Sequence, residues 1–187
     1  MKLLVALLII ALAVWYFGFG GFLLKPIAGS HGLRDGTMHA YRQSEIAKWI
    51  AIPESSTHIT TYRFLGFDTN YRFLKTTLGS ASPDLTELCF QSIALQPRMT
   101  NSTFTIITNI NLGGFSTAFG SLPKSVPPWW STDGSRFDRS FACTWEDNNH
   151  YGYGYLYLHD TQAGELRVFQ WSQQWNDVSA TMNALAK

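Results

Sequence analysis

The sequence predicts an α+β protein: an N-terminal transmembrane helix followed by one antiparallel β-sheet domain with helices packed on one face. Three observations carry this reading. Leu3 to Leu24 contains no charged residue. A strand–strand–helix pattern occurs twice, around residues 58–96 and 151–185. Between the two units, Phe104 to Leu112 alternates as a half-buried strand does.

The apolar run is 22 residues long, opened by Lys2 and closed by Lys25-Pro26. At about 1.5 Å per residue it covers roughly 33 Å, enough for a hydrocarbon core of about 30 Å. Trp15, Tyr16, Phe17, Phe19 and Phe22 crowd its C-terminal half, where Trp and Tyr favour the interface. A cleaved signal peptide is the rival reading. Ala11-Leu12-Ala13 and Ala28-Gly29-Ser30 both fit a small-x-small site. The first leaves an apolar region too short, and the second one much longer than the usual ~7–15 residues. The expectation is therefore an uncleaved single-pass anchor contacting the membrane through residues 3–24. Its N-terminus is expected in the cytoplasm and its C-terminal domain outside, in periplasmic or extracellular space. The expected organisation is an anchor over 1–26, a linker over 27–36 and an extracytoplasmic domain over 37–187.

Beyond the linker, Thr37 is placed to cap a helix running to about Ala51, before Pro53. His58–Leu65 and Tyr71–Leu78 are rich in Thr, Tyr, Phe and Ile and flank turn residues, which predicts a β-hairpin. Ser82-Pro83-Asp84 opens a helix whose stripe is Leu85, Leu88, Cys89, Ser92 and Ile93, ended by Pro97. Residues 115–139 carry Gly, Ser and Pro punctuation without a sustained period, and read as a long loop. Phe141–Trp145 and Tyr151–His159 are strands. Asp160 to Gly164 is a turn, and Glu165–Trp171 returns. Trp175, Val178, Met182 and Leu185 then follow helical spacing.

Composition narrows function. Net charge is +1 and charged residues are 14% of the chain, below the usual ~25%. Such a surface offers no basic stripe for nucleic acid, and no nucleic-acid partner and no cofactor are expected. Cys89 and Cys143 are compatible with one disulfide in an oxidising compartment, or with two buried thiols.

No catalytic motif stands out. Gly114-Phe115-Ser116-Thr117-Ala118 resembles a nucleophile elbow, and Asp147 and His159 follow in the right order. Gly120 and Pro123 forbid the helix that such an elbow must open. Glu146, Asp147 and His150 make a polar cluster that equally describes a solvated hairpin loop. His159-Asp160 sits where a strand enters a turn and lacks a second ligand-rich segment for a metal.

Two aromatic features point instead to protein binding. Trp129 and Trp130 follow Pro127-Pro128 in a loop. Proline stiffens the loop, and Trp is enriched at binding hot spots. The competing reading has both rings folded back as a lid on the core. Tyr151, Tyr153, Tyr155 and Tyr157 share one strand face opposite Gly152, Gly154, Leu156 and Leu158. They form either a partner platform or the side packed under a helix. The expectation is a membrane-anchored extracytoplasmic protein-binding module, an accessory subunit of a membrane complex or an immunity-type inhibitor. Its partner-facing residues are Trp129, Trp130, Tyr151 and Tyr153. The alternative is a small hydrolase using Ser116 or the Glu146–His150 region.

Overall fold

The computed structural model describes residues 28–66, 69–79, 82–96, 104–107, 110, 126–130, 136–146 and 151–174. Their order is β1 (Ala28–His31), α1 (Met38–Arg42), a 3-10 turn (Glu45–Lys48), β2 (Thr57–Leu65), β3 (Thr69–Thr77), α2 (Leu85–Ala94), β4 (Phe104–Ile107), β5 (Arg139–Glu146), β6 (Tyr151–Asp160) and β7 (Glu165–Gln174). The strands form a single seven-stranded sheet in the order β1-β2-β3-β7-β6-β5-β4, antiparallel throughout. The β3–β7 ladder joins the first hairpin to the last, from Thr69↔Gln173 to Thr77↔Glu165.

The predicted class therefore needs correction. Among the described residues one antiparallel sheet dominates, and the two α-helices are short. Among the described residues, no helix is long and apolar enough to cross a membrane. Residues 3–24 lie outside them, as does the C-terminal helix expected from Trp175. The transmembrane helix, and the single-pass membrane location with an extracytoplasmic domain that rested on it, thus have no structural support. Part of the segment read as a linker is strand: β1 pairs with β2 from Ala28↔Leu65 to His31↔Tyr62.

The helix expected from Thr37 to Ala51 breaks in two. Thr37 does cap α1, its hydroxyl accepting from the Ala40 amide. At Ser44 the backbone turns extended (ψ 156°) and restarts as the 3-10 turn. Ser is a poor helix-interior residue, because its hydroxyl competes for nearby backbone groups.

Both faces of the sheet are apolar. One carries Ile59, Leu74, Phe141, Cys143, Trp145, Tyr155, Tyr157, Leu166 and Val168, packed with Tyr41, Ile46, Ile50 and the α2 stripe Leu85, Leu88, Cys89 and Ile93. The other carries Tyr62, Phe64, Tyr71, Phe73, Leu156, Leu158, Phe169 and Trp171, with Trp130 and Phe137 laid on them. Core therefore lies on both sides of the strands, and α1 and α2 both pack on the first of them.

The glycine side of the tyrosine strand shows how closely this is packed. A Cβ on Gly154 would stand 2.0 Å from Cζ2 of Trp171, the residue opposite it on β7. Gly154 is a slot for the indole. Gly154→Ala is expected to cost about 1–3 kcal/mol by overpacking, and Trp171→Phe in the same chain to return part of it. Urea denaturation of the single and double variants tests this; a neutral Gly154→Ala would reject the slot.

Candidate functional site

The tyrosine ladder divides the helix-bearing face in two. Tyr155 and Tyr157 are fully buried. The Tyr155 hydroxyl donates to the Trp49 carbonyl at 2.6 Å. That of Tyr157 lies 2.5 Å from the Ser92 hydroxyl and donates to the Leu88 carbonyl at 3.2 Å. Burial pushes both phenols above their ordinary range. Ser92 also accepts from the Ala51 amide at 2.6 Å. These bonds tie α2, the end of the 3-10 turn and the sheet together.

Tyr153 and Tyr151, one and two steps further along the same face, are only half-buried. Tyr153 stacks on Trp145 at 5.4 Å and 4°, and Tyr151 lies 5.1 Å from Tyr153. Phe104 on β4 extends the row, 5.8 Å from Trp145. The registers Phe104↔Trp145, Trp145↔Tyr153, Tyr153↔Ser172 and Asn70↔Ser172 set these residues side by side across four neighbouring strand pairs. The Asn70 amide donates to the Tyr151 hydroxyl at 3.4 Å. The result is an aromatic strip with a polar end.

Its aromatic end meets the margin of the sheet. β4 is the last strand, and among the described residues nothing pairs with its outer side. Its sequence, Phe104-Thr105-Ile106-Ile107, has none of the charge or proline that usually guards a strand edge. Ile106 is 47% exposed and sits beside Cys143. Cys143 is joined by a disulfide to Cys89 of α2. Phe90, 45% exposed, follows Cys89 on α2. Phe104 and Ile106 thus mark one apolar margin, joined through Cys143 to the helix that carries Phe90.

The next row inward is charged. Arg63 and Arg72 are register partners on β2 and β3, and Arg72 faces Gln170 on β7. Arg72 donates to the Gln170 side-chain oxygen at 2.6 Å, and its guanidinium lies 3.8 Å over the Trp49 ring. Burial, and then the like charge of Arg63, pull its pKa down to about 10.

The remaining expected site residues are scattered. Trp130 is buried, with its ring 5.1 Å from Phe73 and 6.1 Å from Phe169. It belongs to the core, so its expected place on a partner surface is corrected. Trp129 is half-buried and lines a shallow hollow with His31, Arg34, Thr60 and Pro128. His159 is buried on the α2 side and borders a cleft of about 420 Å³ with Leu78, Ser82 and Thr161. Burial, then Arg139, lower its pKa below the ordinary imidazole value. Asp160 turns instead to Arg136, at 3.2 Å, and to the Ala163 amide, at 2.8 Å. Arg136 and Arg167 both pair with Glu165, at 3.1 and 2.6 Å; this network closes the β6–β7 turn. Ser116, Asp147 and His150 lie outside the described residues, as does the Glu146 side chain. Among the described residues no group of His, Cys, Asp and Glu has the makings of a metal site.

Sequence reasoning missed the β4 edge and the arginine pair. Arg63 and Arg72 sit in Thr/Tyr/Phe-rich strands where a charge reads as solvent-facing. The register that buries Arg72 is set by β7, almost a hundred residues away. No family model matches the chain, and neither a curated protein nor a solved structure is significantly similar to it.

Proposed function

We propose that the chain is a protein-binding module which receives an extended segment of its partner along β4. The observation that carries this reading is the apolar edge at Phe104–Ile107, which no described strand pairs on its outer side, with Ile106 exposed. An unpaired strand edge offers backbone donors and acceptors to an incoming strand, and flanking side chains select it. Phe104, Trp145, Tyr153 and Tyr151 supply rigid contact area beside that edge, at low entropic cost. Tyr151 and Tyr153 keep the partner-facing role expected of them, and Phe90 and Ile106 take the place of Trp130.

Ile106→Lys puts a charge on the edge. Its cost to folding should stay within about 0.5 kcal/mol, since the side chain is exposed. Its cost to partner binding should reach about 2 kcal/mol or more if Ile106 is an anchor. A photo-crosslinking side chain at Phe90, introduced in the source cells, should yield a discrete protein adduct that disappears with Ile106→Lys. No discrete adduct, or one indifferent to Ile106→Lys, would overturn the reading.

A further inference from the structure

We infer that Arg63 and Arg72 form a binding site for an oxyanion, a phosphate or a carboxylate, on the helix-bearing face of the sheet. Arg72 is only 3% exposed. Its hydrogen-bond partner is the neutral Gln170, and its ring partner is the neutral Trp49. The Nε atoms of both arginines are buried without a hydrogen-bond partner. The two residues are direct register partners on antiparallel strands, which sets their Cβ atoms about 4.5–5.5 Å apart on one face.

Two guanidiniums side by side, one of them deeply buried, with no carboxylate among the described residues bonded to either, are an expensive arrangement. A buried charge is ordinarily paired, and like charges directly opposite on a sheet repel. The surroundings do not relieve it. Ser30 faces Arg63 from β1, and Asn70 and Ser172 occupy the adjoining row; all three are neutral. Among the described residues, the acid whose charge acts on the pair is Glu45. It is exposed and turned to Lys48 at 3.1 Å. A bound oxyanion resolves the arrangement, because the arginine fork presents parallel N–H groups that match the oxygens of phosphate or carboxylate. The Trp49 ring holds the Arg72 fork in place, and Gln170 orients it, so little side-chain freedom remains to be lost on binding. This inference goes beyond the reading of β4 as a docking edge and does not rest on it.

Thermal denaturation of the full chain, titrated with sodium phosphate against sodium chloride at matched ionic strength, tests the site. A parallel titration uses a capped peptide with one central glutamate. The wild type should show a saturable rise in Tm with phosphate, with the peptide, or with both. A response to phosphate assigns a free anion; a response to the peptide alone assigns a carboxylate of a partner. Arg72→Met and Arg63→Met should each weaken the apparent affinity at least tenfold. In chloride alone, Arg63→Met should be no less stable than wild type, because it removes a repulsion. If Arg72→Met fails to fold, Arg63→Met carries the test. The inference is overturned if neither titrant exceeds chloride, or if the response survives Arg63→Met.

Discussion

Replacing Trp130 with alanine should lower stability by about 3–5 kcal/mol, the range for truncating a large buried aromatic. In a chain of this size that is a fall in Tm on the order of 10 °C. The physical basis is the stack the ring completes. Phe73 and Phe169 lie 4.7 Å apart on neighbouring strands, and Trp130 sits against both. The ring is held there by its own turn, in which the Trp130 amide donates to the Pro127 carbonyl at 2.9 Å. Trp129, half-buried 6.3 Å away, should cost clearly less when truncated. Urea denaturation of Trp129→Ala and Trp130→Ala, compared side by side, distinguishes a lid from a docking anchor. A Trp130→Ala chain within about 1 kcal/mol of wild type would show that the ring does not serve as core.

The second large effect concerns the disulfide. Cys89 and Cys143 are buried and joined across α2 and β5, 54 residues apart in sequence. Cross-linking a loop of that length removes unfolded-state entropy worth about 4 kcal/mol in the chain-entropy model, against typical losses of about 2–4 kcal/mol. The paired change Cys89→Ala/Cys143→Ala should therefore cost about 2–4 kcal/mol. Dithiothreitol should bring the wild type down to nearly the same level and leave the paired variant unmoved. A wild type indifferent to reductant would mean the two sulfurs are separate thiols. Because α2 is pinned to β5 by this bond, its loss should also loosen α2, which carries Phe90, from the strand beside Ile106.

Local chemistry made several elements legible. Thr37 and Asp84 cap helices because their oxygens reach the amides two or three residues on. The α2 stripe of Leu85, Leu88, Cys89, Ser92 and Ile93 is buried as its spacing predicts. The hairpins β2–β3 and β6–β7 sit where β-rich runs flank turn residues. The tyrosine ladder left two readings open: Tyr155 and Tyr157 are buried against α2, while Tyr153 and Tyr151 are half-buried.

Two assignments depended on contacts distant in sequence. The class was misjudged because strand–strand–helix units leave the second face of the sheet unspecified. That face is filled here by aromatics from β2, β3 and β7 and by the 126–130 and 136–138 segments. Trp130 was ambiguous because a loop aromatic has no period to show where it points.

What the sequence determined by itself is what neighbours within four or five residues decide: caps, turns, the α2 stripe and the alternation of each strand. Tertiary structure alone decided which strands are neighbours, and with that every lateral row. It put Arg63 beside Arg72, left β4 at the margin and laid the Trp171 indole over Gly154. The reason is geometric. A strand's own pattern specifies the face on which a side chain stands, but the pairing partner, supplied by distant chain, specifies what stands next to it.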